Sequence, residues 1–389
     1  MLRRRHHPQA EAPREAERGE EADEAAGIGG DSPGGLSRGA AGRLVPPDRT
    51  LVIQTAHLGD VVLTLPLIQR LAGQFGPVDL LTTAAAAELA SHHPAIHQVI
   101  PFDKHGAQRG IAGLIALSAQ LRETGYARAF LPHRSLRSAL LALMAGIPER
   151  IGFGGRAPAI TYTARVPCPV EGHQVARLSA LADADGRRMS VPGSGRGGAG
   201  APEEHGQWFP LTEAERDAAG AWLEASGLAQ PFIILAPGSR WGTKRWPYFA
   251  DLAAALSDPI VVVGGPEDAG LAADVVARAP ARIRSAVGAL TIRGTAALLE
   301  RAALLVTNDS LPLHLASALN RPTVAIFGPT VTGFGFAPLS DRSTVVEHPE
   351  MPCRPCSPHG PMTCPRGHHR CLRDLPVATV VAAIEGLRV

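Results

Sequence analysis

The stretch TNDSLPLHLASALNRPTVAIFGPT, residues 307–330, decides the fold class. An apolar run of strand length, residues 303–306, precedes it, and a second apolar run, residues 323–327, lies near its end. Between the two runs, residues 308–310 (Asn-Asp-Ser) favour a helix N-cap, and Pro312 suits the first helical turn. This order predicts a parallel strand–helix–strand unit whose helix starts at the carboxyl edge of a sheet. Such a start binds anions, most often phosphate, because unpaired N–H groups and the positive end of the helix dipole lie there. An ordinary unit with a polar cap is the alternative interpretation.

Composition narrows the class of protein. With 389 residues and 45% hydrophobic content, the chain is long enough for two domains of about 150 residues each plus extra segments. No run of about 18 apolar residues occurs, so we expect no membrane-spanning helix. The formal net charge of +2 does not mark a nucleic-acid binder, and we expect no nucleic-acid partner. An odd number of cysteines and an amino terminus without an apolar signal region predict a cytoplasmic protein.

Changes in composition predict five segments along the chain. Residues 1–47 have almost no large apolar side chain before Leu36 and are predicted to be a disordered tail. The other four are listed here in order: a first α/β domain (48–185), a Gly/Ser/Arg/Pro-rich linker or insertion (186–206), a second α/β domain (207–375) and a carboxyl-terminal helix (376–389).

The first strand-to-helix turn carries a carboxylate. Residues 51–55 are predicted to form a strand, residues 56–59 a tight loop, and Asp60 opens an apolar helix. Pro66 inside this helix predicts a kink or a break into two pieces. Because Asp60 lies at the carboxyl edge of the first sheet, where ligands bind in open α/β folds, it is a candidate catalytic carboxylate. A helix cap is its alternative role.

A basic patch follows a later strand of the first domain. Arg134, Arg137 and Arg156 are candidates for binding an anionic acceptor, since guanidinium groups pair bidentately with phosphates and carboxylates. A solvated face of an arginine-rich protein is the other interpretation. The nearby Asp183-Ala184-Asp185 resembles a metal-binding DxD motif, but no strand precedes it, and we reject it as a site.

Two loops of the second domain complete a predicted nucleotide site. A loop with glycine, hydroxyl and cationic side chains, residues 237–247, follows one apolar strand, and an acidic loop, residues 264–268, follows the next. Together with the capped helix they fit one nucleoside diphosphate. Ser239 and Lys244 would contact the phosphates, and Glu267 the ribose hydroxyls.

These motifs, taken in order, resemble the heptosyltransferase family, the ADP-heptose:lipopolysaccharide glycosyltransferases of Gram-negative bacteria. The matching pieces are LGDVVLTLPL (58–67), APGSRWGTKRWP (236–247), VVGGPED (262–268), TNDSLPLHLASAL (307–319) and AIFGPT (325–330). The resemblance implies a GT-B architecture, in which two Rossmann-like domains face each other across a cleft. It also implies a metal-independent, inverting transfer of heptose from ADP-heptose to an anionic glycolipid acceptor. The enzyme would work at the inner face of the inner membrane, held peripherally by charge.

The resemblance also assigns roles to residues. Asp60 matches the general base, Lys244 and Ser239 the diphosphate ligands, and Glu267 the ribose contact. The full set of predicted donor-binding residues is Ser239, Thr243, Glu267, Asn308, Asp309, Ser310, Leu311 and His314, with Lys244 beside Asp60 as catalytic. The chain departs from the family at Leu311, where glycine is usual, and this places a side chain near the donor.

The carboxyl-terminal region adds four cysteines with the spacing C-x2-C-x7-C-x6-C. A structural zinc ion bound by these four thiols is one interpretation, and reduced thiols in a proline-rich loop are the other; the four are Cys353, Cys356, Cys364 and Cys371. No cofactor is expected for catalysis. The last helix often returns to the first domain in GT-B proteins, so this one is a candidate tie between the two domains.

Two alternatives to the heptosyltransferase remain open at this point. One is a sugar-nucleotide-binding regulator that has lost transfer, which Leu311 and the long linker favour, while Asp60 and Lys244 oppose it. The other is a glycosyltransferase of the same fold that uses a different nucleoside-diphosphate sugar.

Overall fold

The structure, a computed structural model, describes residues 48–104, 106, 108–155, 157–184 and 209–388. The predicted tail and linker therefore lie outside the described residues, and so do Arg156 and Asp185.

The first sheet has six parallel strands in the order β3-β2-β1-β4-β5-β6. The strands are β1 (Thr50–Gln54), β2 (Val78–Thr83), β3 (Ile96–Phe102), β4 (Arg128–Leu131), β5 (Glu149–Phe153) and β6 (Ala164–Val166). Every residue of β1 is buried, as expected for a central parallel strand with helices on both faces.

Helices cover both faces of this sheet. They are α1 (Leu58–Phe75), α2 (Ala84–Ala90), α3 (Gly110–Thr124), α4 (Leu136–Met144) and α5 (Gln174–Ser179), with short 3-10 turns at Ala157–Thr161 and Ala180–Ala184. Helix α1 packs against α2 and α5, whereas α3 packs against α4, and α4 against the Ala157–Thr161 turn. These two groups contribute to separate hydrophobic clusters, one on each face.

Of the two outcomes predicted at Pro66, a kink or a break, the break does not occur, because α1 is one element of 18 residues. Proline removes one backbone donor from the helix, but side chains on either side, including Leu63, Leu67 and Leu71, are buried. Their burial keeps the two halves together.

The second sheet repeats the topology of the first. Its order, β12-β11-β10-β7-β8-β9, is the same sequence of connections read from the other edge. The strands are β7 (Ile233–Ala236), β8 (Ile260–Val262), β9 (Ile283–Ser285), β10 (Leu304–Asn308), β11 (Thr323–Phe327) and β12 (Ser343–Glu347). The predicted parallel strand–helix–strand unit is confirmed as β10, α10 and β11.

The helices of the second half are α6 (Glu213–Ser226), α7 (Phe249–Ala255), α8 (Ala269–Arg278), α9 (Ile292–Arg301), α10 (Leu311–Ala318), α11 (Arg370–Arg373) and α12 (Val377–Gly386). The last helix, α12, packs against α7, β11 and β12, with Val380 and Ile384 buried in the core of the second domain. Helix α12 therefore completes the second domain. The expectation that it returns to the first domain and joins the two is wrong. No helix in the described ranges has both the length and the apolar character to cross a membrane.

The two domains meet through α1 and α2 on one side and α10 and α9 on the other. One hydrophobic cluster runs through this contact, from Leu63 and Leu178 to Leu298 and Leu315. Because α1 packs against α10, the two strand-to-helix turns that carry the predicted site residues lie close together. The two sheets belong to one compact unit.

Candidate active site

Asp60 lies in the first turn of α1, three residues after the N-cap residue His57. Its Oδ2 accepts a hydrogen bond from the backbone N–H of His57 at 3.1 Å. The carboxylate thus stabilises the helix start, but from inside the helix and not from the cap position. The same bond orients the Asp60 carboxylate, which is half-buried.

Lys244 ends the short turn Gly242–Lys244 that follows β7. Its Nζ donates to Asp309 Oδ2 at 2.6 Å, and the Thr330 hydroxyl donates to the same oxygen at 2.7 Å. The Lys244 and Asp309 side chains are only 11% and 7% exposed. Three loops at the carboxyl edge of the second sheet therefore converge on one buried ion pair, which holds the ammonium group in place.

Two of the predicted donor-binding residues, Asn308 and Thr243, make hydrogen bonds that support the loop carrying Lys244. Asn308 is fully buried; its Oδ1 accepts from the Trp246 N–H at 3.1 Å, and its Nδ2 donates to the Pro237 carbonyl at 2.8 Å. The Thr243 hydroxyl donates to the Pro361 carbonyl at 2.5 Å. Both side chains are engaged within the protein, so they shape the loop that carries Lys244.

Ser239 lies in the same loop and is nearly buried, whereas Glu267 is exposed in the turn after β8. Sequence reasoning passed over the next residue, Asp268, which is 5% exposed. Burial raises the pKa of this carboxyl group, and its Oδ2 accepts from the Gly265 N–H at 3.2 Å. A Cβ atom at Gly238 would lie 2.0 Å from the same oxygen, so glycine lets the two loops close over Asp268.

His314 connects the two halves of the site. It is buried on α10, and a Cβ atom at Gly59 would lie 2.7 Å from its Cδ2. Burial lowers the pKa of His314, while the charges of Asp309 and Asp60 act to raise it. The imidazole therefore interacts electrostatically with two carboxylates, one from each domain.

The start of α10 is the predicted anion site. Ser310 occupies the N-cap position, and its side chain makes no capping hydrogen bond. Pro312 lies in the first turn, as predicted. Leu311 is half-buried and packs against the hydrophobic cluster that spans both domains.

A set of basic side chains around Asp60 was not predicted as a group. His57 Nδ1 lies 3.2 Å from Arg240 Nη1 of the second domain, and the His57 ring contacts the ring of His359 edge-on at 6.1 Å between centroids. Lys104 Nζ donates to the Thr55 carbonyl at 2.7 Å. Burial, followed by the nearby Arg240, lowers the pKa of Lys104.

His133 is the fifth basic group near Asp60. Its Nδ1 is buried without a hydrogen-bond partner, and burial lowers its pKa while the Asp60 charge acts to raise it. No single sequence motif marks these basic residues, because they come from loops of both domains.

The three predicted acceptor arginines are placed differently. Arg137 donates to the carbonyls of Lys104 (3.4 Å) and Gln108 (2.9 Å) and lies over the ring of Phe102. Its guanidinium is used to hold the loop before α3. Arg134 lies over the Phe153 ring at 5.6 Å, and Arg156 is outside the described residues.

The segment that contains the four carboxyl-terminal cysteines, residues 353–371, is called the cysteine segment, and it borders the loop that carries Lys244. Cys356 N–H donates to the Pro329 carbonyl at 2.9 Å, and Cys353 Sγ lies 3.9 Å from His368 Nε2. Burial and neighbouring thiols raise the pKa of Cys371 to about 11. In the part of the chain that the structure describes, no three His, Cys, Asp or Glu side chains are arranged to hold a metal ion.

Two domains of the same parallel topology, with a carboxylate on one and a held ammonium on the other, define a GT-B glycosyltransferase. Residues 114–363 match glycosyltransferase family 9 (heptosyltransferase). The chain belongs to this family, and it is an enzyme of the glycosyltransferase class.

Similar proteins agree with this assignment. The chain is 30% identical over 319 residues to lipopolysaccharide heptosyltransferase 2 of Escherichia coli (strain K12), covering 77% of this chain and 87% of that one. Among solved structures, E. coli ADP-heptose lps heptosyltransferase II has a TM-score of 0.66 at 25% identity, covering 87% and 98% of the two chains. The family 9 glycosyl transferase of Veillonella parvula has a TM-score of 0.73 at 22% identity, covering 89% and 98%.

Proposed function

We propose that this protein transfers heptose from ADP-heptose to a lipopolysaccharide-core-like acceptor, with inversion and without a catalytic metal ion. Family membership supports heptosyl transfer, and the names of the similar E. coli proteins support the donor and the acceptor class. The observation that carries the proposal is the Lys244–Asp309–Thr330 cluster at the carboxyl edge of the second sheet, opposite Asp60.

In this proposal Asp60 is the general base. An inverting transfer is a single displacement, so one group must take the proton of the acceptor hydroxyl as its oxygen attacks the anomeric carbon. Asp60 is suited to this role because the His57 N–H occupies only one of its oxygens in the hydrogen bonds described above. The proton passes to the carboxylate as the bond from the anomeric carbon to the diphosphate oxygen breaks.

Lys244 and the start of α10 stabilise the leaving diphosphate. An ammonium group has three protons, and Asp309 takes one of them, which leaves two for phosphate oxygens. The first amides of α10 add donors and the positive end of a helix dipole. Fixed donors of this kind stabilise developing charge strongly in a site from which water is excluded.

Calorimetric titration with ADP tests the donor site. We expect Lys244→Ala to weaken ADP binding by about 10- to 100-fold, because a charged hydrogen bond to the diphosphate is lost. Adenosine is the matched control ligand: it lacks phosphates, so its binding should be the same in both proteins. Equal ADP affinity in wild type and Lys244→Ala would reject the diphosphate role.

UDP and GDP, titrated in the same way, separate the remaining alternatives. Preference for ADP supports an adenine nucleotide, and preference for UDP or GDP indicates that the donor sugar is carried by a different nucleotide. A Leu311→Gly variant shows whether this side chain limits donor binding. ADP binding without transfer to any glycolipid acceptor would favour the non-catalytic regulator.

We also propose that the enzyme acts in the cytoplasm, at the inner face of the inner membrane, because its acceptor is a glycolipid. A structural zinc ion at the four carboxyl-terminal cysteines stays a prediction, since the thiols are not arranged as a metal centre in this structure. Elemental analysis of the purified protein decides between bound zinc and reduced thiols.

A further inference from the structure

An exposed apolar surface lies on the first domain, on the side of the sheet that does not face the second domain. Seven large apolar side chains are exposed among the described residues, and five of them lie on α3, α4 and the Ala157–Thr161 turn. These five are Ile111, Ile115, Leu136, Leu143 and Ile160. We call them, with the helices that carry them, the α3–α4 face.

The outer side of α3 has no charged residue over its first ten positions. Its exposed residues there are glycine, isoleucine and alanine: Gly110, Ile111, Ala112, Ile115, Ala116 and Ala119. Ile111 and Ile115 are 77% and 53% exposed. A helix on the surface of a soluble domain normally carries polar side chains on this side. The inner side of α3 is already used, since Leu114, Leu117 and Leu121 are buried in the core.

Helix α4 extends the same face. Leu136 and Leu143 are 49% and 44% exposed, and Leu140 between them is half-buried. Hydrogen bonds hold the two helices side by side: Arg137 binds the Gln108 carbonyl just before α3, and Arg122 of α3 binds the Met144 carbonyl at the end of α4. Ile160, 82% exposed, lies in the turn that packs on α4. Exposed apolar side chains grouped on elements that pack together mark an interaction site.

Charge indicates what covers this face. The sequence from 103 to 165 contains nine Lys and Arg residues but three acidic ones (Asp103, Glu123 and Glu149). The whole chain is nearly balanced, with 38 basic and 36 acidic residues, so this stretch of the sequence carries an excess of positive charge. Arg109 and Arg122 are exposed at the two ends of α3. Protein surfaces that combine apolar side chains with flanking cations bind at the interface of anionic bilayers.

The position of the face fits a membrane-embedded substrate. Helices α3 and α4 begin at the carboxyl edge of the parallel sheet, the same edge at which Asp60 lies. A protein that rests on a bilayer through this face would hold the site close to the surface from which a glycolipid headgroup projects. The inference rests on the proposed glycolipid acceptor for its purpose, but on the face alone for its geometry.

We propose that the α3–α4 face docks on the surface of an anionic phospholipid bilayer, with Ile111, Ile115 and Leu136 inserted among the headgroups and arginines on the lipid phosphates. Docking through this face is reversible and weakens with salt, since exposed charges are screened within about 10 Å at 0.1 M ionic strength.

Vesicle flotation tests the proposal. The full chain is mixed with vesicles of phosphatidylcholine alone or with about one-third phosphatidylglycerol, a composition that gives the negative surface potential required. We expect strong binding only to the anionic vesicles, and at least a tenfold loss of partitioning in Ile111→Glu/Ile115→Glu. Val170→Glu is the matched control, because Val170 is 88% exposed and lies outside the face.

Further readouts keep the outcomes distinct. Thermal unfolding and ADP titration show whether the double variant is folded, and transfer to a water-soluble, deacylated acceptor should be unchanged in it. Lys244→Ala should still bind vesicles, so a failed donor site does not affect this test. If the folded double variant binds the anionic vesicles as strongly as the wild-type protein does, the proposal is overturned. A wild-type dimer that the double variant abolishes also overturns it, because the face would then join two copies of the chain.

Discussion

At the residue scale, Asp60 combines an observed structural role with a proposed catalytic one. Its Oδ2 accepts from the His57 N–H and thereby supports the start of α1, and the same carboxylate is the proposed base. These roles depend on different properties. A cap needs only an acceptor oxygen, whereas a base needs a group that can take a proton.

Asp60→Asn separates the two roles. The amide oxygen can still accept from His57, so we expect thermal stability to change little. The amide cannot take the proton, so we expect kcat to fall by about 10²- to 10⁴-fold with ADP affinity unchanged. Steady-state kinetics and calorimetry measure these quantities. Unchanged transfer by the variant would show that another group is the base.

Glycines at this scale mark close approaches. Gly59 and Gly238 face side chains, His314 and Asp268, that leave no room for a Cβ atom. The motifs LGD and PGS contain these glycines, but the sequence does not show which side chain lies against each one. That contact is made between residues 30 or more positions apart, and in the case of Gly59 between domains.

At the scale of elements, the cysteine segment forms the outer wall of the loop that carries Lys244. His369 Nε2 lies 2.8 Å from the Thr243 carbonyl, and the Thr243 N–H and hydroxyl both donate to the Pro361 carbonyl. A Cβ atom at Gly242 would lie 2.4 Å from the Met362 carbonyl. The segment therefore determines where the turn before Lys244 can lie.

We predict that His369 positions Lys244 through Thr243. His369→Ala removes the hydrogen bond and should weaken ADP binding by about 3- to 10-fold, the usual effect of one hydrogen bond. His369→Gln places a donor at a similar distance and should restore most of the affinity. His369 has a positive φ of 51°, and both variants carry the backbone cost of this conformation equally.

A double-mutant cycle with Lys244→Ala distinguishes positioning from general structural support. If His369 acts through Lys244, its loss should cost nothing further once Lys244 is gone. Equal losses of ADP affinity in both backgrounds would contradict the prediction.

At the scale of the whole molecule, the contact between domains contains histidines that are kept neutral. His173 caps α5, and its Nε2 lies 3.0 Å from the Ala337 carbonyl of the second domain. Burial, followed by the nearby His314, lowers the pKa of His173 to about 4. Burial also lowers the pKa values of His57, His133 and His314.

These shifts predict a loss of stability in acid. An imidazole whose pKa is depressed in the folded state binds fewer protons there than in the unfolded chain, where its pKa is about 6.5. The stability it contributes is complete above pH 6.5 and is lost as the pH falls towards 4. We therefore expect the free energy of unfolding to decrease between pH 7 and pH 4.5.

His173→Asn tests the contribution of one group. Asparagine can keep the cap on Val175 but does not titrate, so the variant should be less stable at neutral pH and lose less stability on acidification. Urea unfolding at several pH values measures both, and equal m-values confirm that the same surface unfolds. An identical pH slope in the two proteins would contradict the role of His173.

Much of the fold could be predicted from the sequence, because parallel strands and their helices are encoded locally. The stretch 307–330 has apolar runs of strand length, a capping signal and a proline at the first turn, and it forms β10, α10 and β11 as expected. Asp60 and Lys244 were proposed as site residues in the same way, since residues after buried parallel strands reach one edge of the sheet. A break of α1 at Pro66, one of the two outcomes that the local pattern predicted, does not occur, because burial of the neighbouring side chains outweighs one lost hydrogen bond.

Only the tertiary structure decided how these elements meet. The partner of Lys244 lies 65 residues further along the chain, and Thr330 completes that pair from a third loop. The basic residues around Asp60 come from both domains, and the last helix packs on the second domain instead of returning to the first. Sequence periodicity records which side of an element is buried but not what it is buried against. That choice is made by packing and charge pairing between distant segments.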